Sequence, residues 1–162
     1  MAATAAHVAD ERTPMTSELR FELLSPTATA PSRAHETDAG FDLHADENLV
    51  IAPGEYRLVR CGFAMALPEG YAGLVCPRSG LAGKRGVTVL NAPGVIDAGY
   101  RGETRVILVN HSTDDFEVRI GDRIAQLVIT PFIAPTFVEA KVTEDATDRG
   151  LNGFGSTGIA AA

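Results

Sequence analysis

Glycine and proline punctuate this chain so closely that long elements have little room between them. Pro53-Gly54, Pro68-Glu69-Gly70, Pro93-Gly94 and Gly121-Asp122 break up a series of short β-prone runs, and helical periodicity is almost wholly missing. The runs predict strands over 21–24, 49–51, 56–67, 72–76, 87–90, 106–109, 116–120, 124–129 and 137–142. Residues 56–67 are long enough to require a bend or bulge. Only the connection through Lys84 offers helical turns. This pattern predicts an all-β fold, a jelly-roll-like β-sandwich or distorted barrel of short, mostly antiparallel strands.

Three regions are expected. Residues 1–20 are small and polar and read as a disordered tail, 21–142 as the β-domain, and 143–162 as a C-terminal arm. The arm has glycines at 150, 153, 155 and 158, yet embeds Arg149 and Phe154. It cannot form a core of its own. It is either a disordered terminus or an arm that orders over a ligand, with an arginine for an anion and a phenylalanine for a flat ring.

Composition narrows the function. A formal net charge of −7, with no basic block longer than Gly83-Lys84-Arg85, argues against nucleic-acid or membrane binding. Locally clustered arginines still leave room for a small anion. Cys61 and Cys76 lack CxxC spacing and read as free thiols of a reducing compartment, the cytoplasm. The four histidines show no metal-ligand spacing.

The segment from Asn91 to Glu103 lies between two β-prone runs and carries three turn pairs, predicting a strand–loop–strand hairpin. It places Asp97 near Tyr100 among exposed backbone groups, a way of gripping a small molecule by shape. Read alone, it is better taken as a surface hairpin in which Asp97 caps a turn. Arg78-Ser79 follows a strand and offers a planar donor fork and a hydroxyl to phosphoryl oxygens. No P-loop, dinucleotide fingerprint, zinc-protease motif or nucleophile elbow occurs. What remains is a carboxylate, Asp97, able to take a proton from water, with arginines for phosphate.

Together these segments resemble the trimeric dUTPase family, from about Phe21 to Gly158. Its five motifs stand in order: Ala39-Gly40-Phe41-Asp42-Leu43, Pro77-Arg78-Ser79-Gly80-Leu81-Ala82, Asn91 to Glu103, Gly121-Asp122-Arg123-Ile124-Ala125-Gln126-Leu127, and Arg149 to Gly158. The resemblance implies hydrolysis of dUTP to dUMP and pyrophosphate, with water attacking the α-phosphorus and Asp97 as the general base. It implies that Tyr100 packs on deoxyribose, that Asn91 reads the uracil edge, and that the backbone of Gly94, Val95 and Ile96 makes the other base contacts. Arg78, Ser79, Gly80 and Gln126 match phosphate-contacting positions, Arg149 the arginine on the terminal phosphate, and Phe154 the aromatic stacked on uracil. Gly155, Ser156 and Thr157 would add arm-to-phosphate contacts. Mg²⁺ is expected to arrive on the substrate phosphates with its waters, and Asp42 to reach it, if at all, through water. Asp38, Glu103 and the Asp122-Arg123 pair are expected as supports. A homotrimer with shared active sites is also implied.

One position departs from the family pattern: Asn152 stands where the arm usually has a glycine. Asparagine tolerates left-handed backbone, so the expectation is altered arm ordering rather than lost chemistry. The related dCTP deaminases share the Arg-Ser loop, but their catalytic glutamate is matched by Ile107 and a proline of theirs by Ala98. A nucleotide sensor without catalysis is the other rival.

Overall fold

The computed structural model describes residues 18–142, 147 and 150. In chain order these form β1 (Arg20–Leu23), β2 (Gly40–His44), β3 (Leu49–Ile51), β4 (Tyr56–Arg60), β5 (Phe63–Ala66), β6 (Tyr71–Cys76), α1 (Ser79–Arg85), β7 (Val87–Val89), β8 (Gly94–Ile96), β9 (Arg105–Asn110), β10 (Phe116–Val118) and β11 (Arg123–Pro131). Four strands pair in the order β2–β11–β6–β8 and three as β4–β9–β7, with two-stranded ribbons β1–β5 and β3–β10. Every pairing is antiparallel. The all-β jelly-roll expectation holds.

Alternation places one set of side chains in a common core. Leu43, Ile51, Val59, Phe63, Val106, Leu108, Val118 and Ile124 are each at most 1% exposed. Each such burial contributes about 1.5–3 kcal/mol before entropy is charged against it. Asn110 is buried too, and every one of its amide groups is used: Nδ2 donates to the carbonyls of Ile51 and Asp114, and Oδ1 accepts from the backbone N–H and hydroxyl of Ser112.

Three expectations need correction. The single strand over 56–67 is two strands, because the chain changes sheets at Gly62. Its φ is +68°, and a Cβ there would lie 2.6 Å from Cγ of Asp46 and 2.7 Å from Cβ of Ala28. Strand β4 consequently pairs with β9, and β5 with β1. Residues 137–142 form no strand; Phe137 is 97% and Val138 80% exposed, since the chain leaves the sheet after β11 and meets no free strand edge of its own. Residues 40–44, absent from the expected strands, form β2 and carry Asp42 within it. That strand shows the period-two signal: Phe41 and Leu43 alternate with Asp42 and His44.

The short helix forms where helical turns were expected. Gly86 closes it in a left-handed conformation, and Lys84 and Arg85 complement the negative end of its dipole. Both cysteines are free; burial pushes the Cys61 thiol up to about 12. No helix among the described residues is long and apolar enough to cross a membrane.

Candidate active site

One group of site residues gathers at an end of the four-stranded sheet. The β2–β11 register sets Asp42 opposite Gln126 and His44 opposite Arg123, while β6 sets Cys76 against Gln126. The chain then turns through Pro77 into Arg78, which bonds back to Asp42: Nε lies 3.0 Å from Oδ1. Arg123 Nη1 lies 3.3 Å from Oδ2 of the same carboxylate, and Arg78 Nη1 donates to the Arg123 carbonyl at 3.1 Å. Two guanidiniums against one carboxylate leave a local positive excess, despite the acidic chain. Arg78 Nη2 has no partner among the described residues, and the Arg123 side chain is half exposed.

Gln126 is held in this group from both sides. Its Nε2 donates to the Pro77 carbonyl at 2.8 Å, tying β11 to the Arg78 loop. Behind it, a Cβ on Gly40 would stand 3.3 Å from the Gln126 Cδ and closer still to Oε1, so the glycine makes room for the amide. Ser79 and Gly80 open α1 and are exposed; nothing lies within 4 Å of a Cβ built on Gly80. Packing therefore does not require that glycine.

His44 belongs to this group, and sequence reasoning overlooked it. Its Nδ1 is buried without a hydrogen-bond partner. Burial, reinforced by Arg123 and Arg78 and opposed by Asp42, holds its pKa below the ordinary histidine value. Arg123 was expected as a support for strand ends and subunit contacts; it also shares Asp42 with Arg78. The signal for both was the β2 alternation, which fixes the register of His44 against Arg123 once β2 is assigned a strand.

The second group stands on the hairpin. Its expected strands are β7 and β9, paired Val87 to Asn110 and Val89 to Leu108, and β8 rises between them to pair with β6. Asn91 Nδ2 packs over Gly94, where a Cβ would come within 3.0 Å of it. Val95 is 63% exposed, while Ile96 rests on the core. Asp97 then leaves the sheet, exposed, and its carbonyl accepts the Tyr100 N–H at 3.0 Å. The Asp97 carboxylate has no hydrogen-bond or ion-pair partner among the described residues. Tyr100 donates its hydroxyl to the Glu103 carbonyl at 3.1 Å.

The neighbouring carboxylates are all engaged. Glu103 accepts from Arg60 Nε at 3.0 Å, the Gly62 N–H at 3.1 Å and Arg105 Nε at 3.1 Å. Asp38 accepts the His35 N–H at 2.9 Å, and Asp122 the Arg119 N–H at 2.9 Å. Asp38, Asp122 and Glu103 are thus structural supports.

The two groups sit toward opposite ends of β6. Ile96 faces Gly73, so Asp97 departs near Ala72, whereas Arg78 follows Cys76. Ala72 and Cys76 are separated by about 13 Å of strand. Arg149, Phe154, Gly155, Ser156 and Thr157, and with them Asn152, lie outside the described residues.

The described residues do not make a metal cage. No group of three or more His, Cys, Asp or Glu side chains among them could hold an ion, and both Asp42 oxygens are taken by arginines.

Residues 27–158 match the dUTPase family. The deoxyuridine 5'-triphosphate nucleotidohydrolase of Clostridium tetani is 48% identical over 140 residues, covering 86% of this chain and 96% of that protein. Its counterpart in Nocardia farcinica is 52% identical over 136 residues, covering 83% and 82%. Among solved structures, a Staphylococcus bacteriophage 80alpha dUTPase with dUpNHpp superposes with a TM-score of 0.83 at 32% identity, covering 89% of this chain and all of that one. A dUTPase from phage phi11 of S. aureus, in which a structural Mg(II) ion is coordinated, gives 0.74 at 30% identity, covering 79% and 99%.

Proposed function

The chain belongs to the dUTPase family and hydrolyses dUTP to dUMP and pyrophosphate, and on that premise we propose how its residues divide the work. Water attacks the α-phosphorus and Asp97 takes its proton. The observation that carries this assignment is that Asp97 alone, of the carboxylates around the hairpin and the arginine pair, has no partner among the described residues to release first. Asp42 and Glu103 each lie between two arginines, so either would have to give up a charge-assisted contact before taking a proton from water.

The arginine end receives the phosphates in this reading. Arg78, Ser79, Gly80 and Gln126 hold the chain of phosphoryl oxygens, and Arg149 joins from the arm. Mg²⁺ supplies charge neutralisation on the triphosphate and comes in with it. Asn91 and the backbone of Gly94, Val95 and Ile96 take the base, Tyr100 the deoxyribose, and Phe154 covers uracil. Gly155, Ser156 and Thr157 close the arm over the phosphates and exclude bulk water.

Shared sites in a homotrimer are part of the proposal. The separation of Asp97 from Arg78 along β6 supports it, because a triphosphate nucleoside held at one end has no base there from the same chain. Apolar side chains left outside also support it: Tyr56 and Leu58 on β4, and Phe137 and Val138 beyond β11, are all at least half exposed. The free cysteines favour a reducing compartment, the cytoplasm in our reading.

The test is pyrophosphate release with dUTP and Mg²⁺, beside dCTP, dTTP and UTP, for the wild type and Asp97→Asn. Release from dUTP alone, lost on substitution, is expected. Binding without release would make the protein a sensor, and ammonia from dCTP would make it a deaminase.

A further inference from the structure

Gly102 lies against the ring of Tyr100. A Cβ built on it would stand 2.6 Å from the Tyr100 Cζ and 3.0 Å from Cε2, and nearer still to the hydroxyl oxygen. No side chain fits at those distances, so any residue but glycine must drive the ring away. Backbone conformation does not explain the glycine: Gly102 is not among the described glycines with positive φ. Space is the reason it is there.

The ring is also fixed at its tip. Its hydroxyl donates to the Glu103 carbonyl, and Glu103 is anchored by Arg60, Arg105 and the Gly62 N–H with its side chain only 12% exposed. The loop is stapled separately, since Arg101 Nη1 donates to the carbonyls of Ala98 and Tyr100 at 2.6 and 2.7 Å. A methyl group on Gly102 therefore acts on the ring rather than on the loop. The ring itself stays 49% exposed, backed by the glycine and open to a ligand.

We propose that Gly102 is a positioning residue for sugar discrimination: by admitting the Tyr100 ring against the backbone, with its hydroxyl on the Glu103 carbonyl, it sets how closely a furanose can approach and so excludes a 2′-hydroxyl. The inference rests on the dUTP reading above, with Tyr100 against the sugar.

The experiment is a double-substitution cycle on the full chain. The ratio of kcat/KM for dUTP to that for UTP is measured in the wild type, Gly102→Ala, Tyr100→Ala and the double variant. A misplaced ring should lower the ratio about tenfold in Gly102→Ala. In the Tyr100→Ala background the same change should alter it by less than about twofold, since no ring remains to be moved. An unchanged ratio in a folded Gly102→Ala protein overturns the proposal, as does an equal loss in both backgrounds. Should Gly102→Ala fail to fold, Tyr100→Phe decides: it keeps the ring, loses the anchor, and should lower the ratio about threefold, whereas an unchanged ratio overturns the proposal. Ring signals of labelled tyrosine, three in the chain, read the displacement without turnover. If the wild type leaves dUTP intact, the functional reading fails by itself, while an unmoved Tyr100 signal in Gly102→Ala still overturns the positioning role.

Discussion

The two ends of β6 use charge in opposite ways. At the Cys76 end, Asp42 is spent on Arg78 and Arg123, and Gln126 on the Pro77 carbonyl, so the side chains hold one another in place. At the Ala72 end, Tyr100 and Asp97 are set by backbone carbonyls and glycines, and the Asp97 carboxylate has no partner among the described residues. An anion site gains from donors already aimed, because their orientation need not be fixed when the ligand arrives. A base gains from having no competing partner. The same residue type, aspartate, is thus a strut at one end and, in the proposed reading, the reactive group at the other.

Substitutions can break this contrast at either end. The largest effect is expected from Asp97→Asn, which should lower kcat by about 10²–10⁴-fold and leave binding of a non-hydrolysable dUTP analogue nearly intact by calorimetry. Comparable loss of binding would show that Asp97 is a ligand contact instead. Next is Asp42→Asn, which frees both arginines from their strut. It should lower kcat/KM by about 10–100-fold with most of the loss in KM, as expected for binding energy lost through misaimed donors. If kcat fell by as much as in Asp97→Asn, the strut and the base would not be separable.

A smaller effect sharpens the comparison inside the arginine end. Gly40→Ala crowds the Gln126 amide and should raise KM by about fivefold, the scale of one neutral hydrogen bond; Gly80→Ala, with open space around it, should leave stability unchanged. Thermal melting of both variants beside their KM values checks this pair. The smallest effect is a pH dependence of stability. The folded pKa of His44 is below 6.5, so the unfolded chain binds its proton first as the solution is acidified. Stability is then full above pH 6.5, declines from there down to the folded pKa, and levels below it. Urea titrations across that window should show the slope, and His44→Gln should flatten it.

Much of this was legible in the sequence because glycine, proline and alternation act locally. The turn pairs delimit most strands, and the hairpin from Val87 to Asn110 forms with its predicted partners. Phe137 and Val138 misled for a physical reason: an apolar β-prone run needs an edge to pair with, and sequence does not say whose. Residues 56–67 hid the change of sheets because Gly62 is crowded by Asp46 and Ala28, neighbours brought in from distant parts of the chain. The site residues were named through the family's motifs. What they could not give was which partners hold Asp42 and Glu103, since Arg78, Arg123 and Arg60 reach them from distant parts of the chain.

The central claim is that the base and the phosphate grip of a working site come from different copies of the chain. Mixing settles it most directly. Asp97→Asn and Arg78→Ala proteins, each nearly inactive, are combined, dissociated and reassembled, and dUTP hydrolysis is measured. The account predicts that reassembled mixtures recover activity well above the sum of the two variants, because some sites then pair an intact Asp97 with an intact Arg78 from a neighbour. Mixtures no more active than that sum would place both groups in one chain's site and contradict it.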